Sequence, residues 1–190
     1  AGEFINILLK KRLFSSPAAF ATTLAKHRES LARGRRSASP RSFEERILRK
    51  ALLQSQEDYA DDSRYEEVLE EVTEELTLNA PALTADERGL LDRLTGWAER
   101  ARNRKDSKAE AILKWLEDHL RPGGNWNHER VILFTEYRTT HGWLQTILAN
   151  HGFGGDRLMC LHGSMDRDER EVVKAAFQSS PDVAAVRILL

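Results

Sequence analysis

From Val131 onward, three short apolar runs alternate with two amphipathic stretches, and no other feature constrains the fold as much. Val131-Ile132-Leu133-Phe134 is apolar at every position, which suits a strand covered on both faces. Thr139 to Asn150 then sets Trp143, Leu144, Ile147 and Leu148 at helical spacing and stops at His151-Gly152. Leu158-Met159-Cys160-Leu161 is a second strand. Asp166-Arg167-Asp168-Glu169 caps a helix that carries Val172, Val173, Ala176 and Phe177, and Val186 to Leu190 is a third strand. Strands separated by helix-length connections cannot pair as hairpins, so β-α-β-α-β predicts a parallel, doubly wound sheet with right-handed crossovers. An all-apolar strand flanking a single Arg, such as Val186–Leu190, belongs at a sheet centre. Its position at the end of the chain suggests a piece of a longer protein.

Upstream of Arg121-Pro122-Gly123-Gly124-Asn125, which breaks any periodic pattern, the chain reads as helix after helix. Ile5 to Phe14 is the first. Pro17 opens the second, since a proline in a first turn gives up no needed N–H; it runs to about Arg33, with Phe20, Leu24 and Leu31 on one side. Gly34 to Pro40 (GRRSASP) is a basic linker. Ser42 with Glu45 forms a capping box for a helix bearing Ile47, Leu48, Ala51 and Leu52. Tyr65, Val68, Leu69, Val72 and Leu76 mark an amphipathic helix with an acidic outer face. Thr84-Ala85-Asp86-Glu87 caps a helix expected to turn Leu90, Leu91, Leu94, Trp97, Ala98 and Ala101 inward. Ser107-Lys108-Ala109-Glu110 is read as a third box, before Ile112, Leu113, Leu116 and Leu120. The expected class is α/β: an all-helical connector over residues 1–105, then an incomplete parallel sheet over 106–190.

The net charge of -1 conceals a segregation. Residues 1–50 hold twelve Lys/Arg against four Asp/Glu, whereas 51–80 hold one Arg against ten acids. The basic block suits either phosphates or the acidic block next to it. The single cysteine, Cys160, excludes a disulfide framework and any cysteine-cluster metal site. No apolar run reaches the roughly 20 residues that span a bilayer, and the N-terminal charges follow the apolar residues rather than precede them. A cytoplasmic protein without membrane association is the expectation.

Catalytic motifs are missing from the sequence. No Gly precedes a Lys, so there is no G-x-x-x-x-G-K-[ST] phosphate loop. Gly152-Phe153-Gly154-Gly155 follows a helix and precedes a strand, the reverse of a dinucleotide fingerprint, and reads as a helix C-cap. The six histidines show no metal-ligand spacing, and His162 has no apparent nucleophile to serve as base. No catalytic or metal residue is assigned. What remains lies after the strands, where open α/β sheets take their ligands. Thr135-Glu136-Tyr137-Arg138-Thr139-Thr140 and His162-Gly163-Ser164-Met165 both lead into helix N-termini, whose free N–H groups favour phosphate oxygens. On the residues alone, capping is the commoner job of Ser and Thr in such segments.

Val131 to Tyr137 (VILFTEY) resembles helicase motif IV, the "vliFsqy" strand of SNF2-type superfamily 2 motors. Leu161-His162-Gly163-Ser164-Met165 with Arg170 and Phe177 is similar to their next block, (h/d)-G-(s/d)-(m/t)-x4-R-x6-F. Asp106-Ser107-Lys108 before Ile112-Leu113 resembles the "S-(g)-K-x-x-x-L" helix that precedes motif IV. More distantly, Lys11 to Phe20 resembles the linker helices of bacterial members, RapA-like and DISARM-type. The resemblance implies that residues 106–190 begin a second RecA-like (helicase C-terminal) domain and stop before motif V. It implies nucleic-acid backbone contacts by Thr135, Glu136, Tyr137, Arg138, Gly163 and Ser164, with Arg170 as structural support. The implied parent is an ATP-dependent DNA helicase or translocase using ATP and magnesium, with duplex DNA and a first RecA-like domain as partners; the 190-residue chain itself is expected to be inactive. A rival reading is a non-catalytic protein-interaction module built on the charge-segregated helices.

Overall fold

The computed structural model describes residues 2–33, Glu74, Thr77 and 82–190. The expected helices from Ser42 and over 65–76 lie outside the described residues, apart from Glu74 and Thr77, which are both helical. The chain divides into two units, residues 1–103 and 104–190.

In the first unit, α1 (Gly2–Ser15), α2 (Pro17–Arg33) and α3 (Ala85–Ala101) are helices. Ser16 starts α2: its side chain accepts from the Ala19 amide at 3.1 Å, which satisfies one of the donors a helix start leaves open. Phe20, Ala21 and Leu24 of α2 and Ala98 of α3 are buried together. Thr84 caps α3 by the reciprocal box read from the sequence, with the Glu87 amide on its hydroxyl at 3.3 Å and the Glu87 carboxylate on its own amide at 2.8 Å. That same bonding holds the Glu87 carboxyl below its ordinary range. The inward face expected of α3 is corrected: Leu90, Leu94 and Trp97 are 55%, 41% and 46% exposed. They line an apolar groove of about 560 Å³ with Leu9, Leu24 and Leu31 rather than filling a core.

In the second unit, α4 (Ser107–Leu120), β1 (Val131–Ile132), α5 (Arg138–Asn150), β2 (Leu158–Met159), α6 (Arg167–Gln178) and β3 (Ile188–Leu189) follow in order. The α4 cap is Asp106, one residue before the expected box, because its carboxylate reaches the Ala109 amide at 2.8 Å. Asp166 caps α6 in the same way through the Glu169 amide at 2.8 Å. After α5 the chain turns at Gly152, where φ is +81° and an L side chain would be strained. The Phe153 amide then donates back to Leu148 O at 2.9 Å, so the glycine cluster is a helix C-cap.

The three strands form one parallel sheet in the order β1-β3-β2. Ile188 pairs with both Val131 and Leu158, so the last strand is central. That position explains why every residue from Val186 to Leu190 is buried. Backbone bonds extend the pairing to Leu133 N–Leu189 O at 2.8 Å and Leu161 N–Leu190 O at 2.7 Å. The α/β class is thus present, as a mostly helical chain with a small parallel sheet.

Alternate strand positions face opposite ways. Val131, Leu133, Leu158, Cys160, Ile188 and Leu190 meet Leu113, Leu116 and Leu120 of α4, Leu144, Ile147 and Leu148 of α5, and Phe153. Removing this apolar layer from water stabilises the unit by about 25 cal/mol per Å² buried. The crossovers run in opposite directions, which for right-handed connections puts α5 and α6 on opposite faces. Double coverage of the first strand is not observed: Ile132 and Phe134 are 45% and 90% exposed. β1 is an edge strand, and only the face toward α4 and α5 is covered.

Candidate nucleic-acid interface

Because all three strands are parallel, their C-terminal ends share one edge of the sheet. The loop after β1 leads into α5, the loop after β2 into α6, and Leu190 stands between them at the end of β3. Both candidate segments, far apart in sequence, therefore flank one strand end. The side chains meet as well: the rings of His141, in the second turn of α5, and His162 stand edge-on, 5.6 Å apart at 87°.

The individual residues differ in access. Glu136, Arg138 and Ser164 are exposed, while Thr135 and Gly163 are half-buried. Arg138 opens α5 and Ser164 lies just before α6, so both sit where a helix start favours anions. Tyr137 is only 3% exposed and Thr140 only 6%. Their side chains are packing groups, which leaves only the Tyr137 backbone, the N-cap of α5, for an outside ligand. Glu136 brings a negative charge to the edge and is the least suited of the six to touch a phosphate. Arg170 turns back along its own helix, with Nε 3.4 Å from Asp166 O, and braces the start of α6.

Two residues of the edge escaped the sequence reading as participants. His162 Nδ1 lies 2.9 Å from Ser164 Oγ, so the ring read as lacking a partner nucleophile has a hydroxyl two residues away. His141 Nε2 lies 3.2 Å from Leu190 O. Burial holds the His141 imidazole below its ordinary value, the charges of His162 and Arg138 add to that, and the Leu190 carbonyl opposes it. The periodicity of α5 signals where His141 sits, but only the strand order reveals what it meets. Among the described residues no carboxylate is hydrogen-bonded to the His162 ring. Likewise, no group of three or more His, Cys, Asp or Glu among the described residues is arranged to hold a metal ion.

At the opposite edge, guanidinium groups hold the turn before β3. Arg187 donates to Asn127 O, Ala184 O, Val186 O and Pro181 O at 2.7, 2.9, 2.9 and 3.0 Å. Arg130 donates to Val186 O and Phe177 O, and Arg157 to Ala185 O. Arg157 and Arg121 also lie 5.2 and 5.9 Å from the Trp126 ring centroid. These guanidinium groups bond backbone carbonyls around the turn before β3.

No known family model, curated protein or solved structure matches this chain. Among the described residues no helix is long and apolar enough to cross a membrane.

Proposed function

We propose that residues 106–190 form part of the second RecA-like lobe of an SNF2-type, superfamily 2 motor and grip the backbone of duplex DNA. The observation that carries this reading is the meeting of the two motif-like segments at one sheet edge, with His141 of α5, the helix that follows the first, 5.6 Å from His162 of the second. A phosphate there would meet the open amides of the α5 and α6 N-termini, the Arg138 guanidinium and the Ser164 hydroxyl. Phosphate contacts of this kind position a duplex without reading its sequence.

In the intact motor, ATP and magnesium would supply the energy for lobe closure, and a first lobe would bind them. This chain has no phosphate loop of its own, so its task is the grip, which closure would displace along the DNA. The test is binding of a labelled duplex at several salt concentrations, with and without Arg138→Glu. Binding that weakens with salt and falls at least severalfold on charge reversal supports the reading; salt-independent or unchanged binding refutes it.

One observation favours the protein-interaction reading. The groove lined by Leu90, Leu94 and Trp97 is an apolar surface that a partner helix could cover. Under that reading, Leu94→Asp would abolish partner capture and leave DNA binding intact.

A further inference from the structure

In α3, a helix of 17 residues, Ala98 alone is buried. Leu90, Leu94 and Trp97 share one face of it at helical spacing and are 55%, 41% and 46% exposed. They form one wall of the apolar groove, with Leu9, Leu24 and Leu31 opposite. Three large apolar side chains left in water on one face gain free energy when another surface covers them.

The rim of the groove defines the cover that fits. Glu87 and Arg93 both line it, three residues to either side of Leu90. Glu87 accepts the Thr84 amide and hydroxyl on Oε2 at 2.8 and 2.9 Å, which keeps the carboxylate ionised and leaves Oε1 open. Arg93 is exposed and makes no hydrogen bond or ion pair among the described residues. Other arginines around it are committed: Arg88 donates to Leu83 O and Thr84 O, and Arg28 pairs with Asp92 at 3.0 Å. A matching surface brings a cation to Glu87, an anion to Arg93 and apolar side chains between them. α3 carries that pattern itself when it runs antiparallel. With a twofold axis beside Leu90, Glu87 of each copy faces Arg93 of the other, Leu90 meets Leu90, and Trp97 meets Leu83, a further groove residue. Isologous contacts require this kind of self-complementarity.

We propose that the exposed face of α3 and its groove are a self-association surface, on which a second copy of this chain docks antiparallel through the same residues. The apolar stripe supplies the affinity. The two Glu87–Arg93 pairs lie at a solvated rim, so they set direction and register more than strength. One helix face is smaller than a standard interface, which places the dimer in the micromolar range. The surface lies within residues 1–103 and stands independently of the nucleic-acid reading of residues 106–190.

The test is sedimentation equilibrium of the full chain from about 5 to 500 µM, where wild type should show a monomer–dimer equilibrium. Leu94→Asp should leave only monomer. Arg93→Glu and Glu87→Arg should each weaken the dimer by roughly tenfold or more, because each sets like charges together at both ends. Mixed one to one, these two variants should recover most of the wild-type affinity as a heterodimer, in which Glu again faces Arg at both ends. Damage confined to one copy, such as loss of the Thr84 box, cannot produce that recovery. A dimer that survives Leu94→Asp, or a mixture that does not recover, overturns the proposal. So does a wild-type chain that stays monomeric throughout; the groove then belongs to a segment of its own chain if Leu94→Asp lowers the melting temperature, and to a foreign partner if it does not. Circular dichroism confirms that each variant is folded.

Discussion

Replacing Arg187 by Met should destabilise the second unit more than any other single charge removal. The side chain is 4% exposed and gives four hydrogen bonds to backbone carbonyls, with no carboxylate bonded to it. Burial and the charges of Arg157 and Arg130 lower its pKa, yet a guanidinium remains protonated. Hydrogen bonds from a charged donor contribute about 1.5–3 kcal/mol each. Four would give roughly 6–12 kcal/mol, against which stands the several kcal/mol it costs to bury the charge. Methionine keeps most of the stem packing but takes the donor from Asn127 O, Ala184 O and Pro181 O, while Val186 O keeps Arg130, so the net loss should be about 3 kcal/mol. For a unit of this size that lowers the melting temperature by roughly 12–24 °C. Arg187→Lys keeps the charge but not the planar fork and should recover part of the loss. Arg157→Met removes one carbonyl bond at an exposed position and should cost under about 0.5 kcal/mol. Urea unfolding followed by tryptophan fluorescence measures all three. If Arg187→Met unfolds within about 0.5 kcal/mol of wild type, the carbonyl cage does not hold the central strand.

Other expectations follow from the same geometry. Gly152→Ala should destabilise by about 1 kcal/mol in urea unfolding, because φ of +81° is costly for an L residue. Asp166→Ala removes the cap of α6 and should cost about 1 kcal/mol, whereas Asp166→Asn should restore most of it. Burial lowers the pKa of both His27 and His141 from 6.5. The unfolded chain then binds the extra protons, so stability is full above pH 6.5 and declines as pH falls below it. His27→Gln with His141→Gln should flatten that decline in thermal melts at a series of pH values. Finally, the chain should show no ATP hydrolysis above background in a phosphate-release assay, with or without DNA, and DNA-stimulated turnover would contradict the assignment of its role.

Much of the sheet was legible because its signals are local. Apolar runs of strand length alternate with helix-length stretches, and helix starts announce themselves through Thr84 and Asp166. The central placement of β3 was foreseeable from the apolar residues around Arg187, although nothing local says which strands flank it. The misses have physical causes. Leu90, Leu94 and Trp97 keep helical spacing, but spacing shows only that residues share a face, not that the face is covered. Ile132 and Phe134 sit in a run that reads as doubly covered, yet they occupy an edge strand with one covered face. Arg187 looks like an interruption in an apolar strand, and its four carbonyl partners come from turns that periodicity does not describe. At the candidate site, the position of Ser164 and Arg138 at helix starts could be read from the sequence. The burial of Tyr137 and the approach of His141 to His162 depend on the strand order.

The most direct test of the central claim is a nuclear magnetic resonance titration of the full chain with a short DNA duplex, following backbone amide shifts. The account predicts saturable, salt-sensitive changes at Thr135, Arg138, Gly163 and Ser164 together, because both loops lie at one edge of the sheet. Shifts confined to residues 1–103, or none at these four amides under saturating duplex, would contradict it.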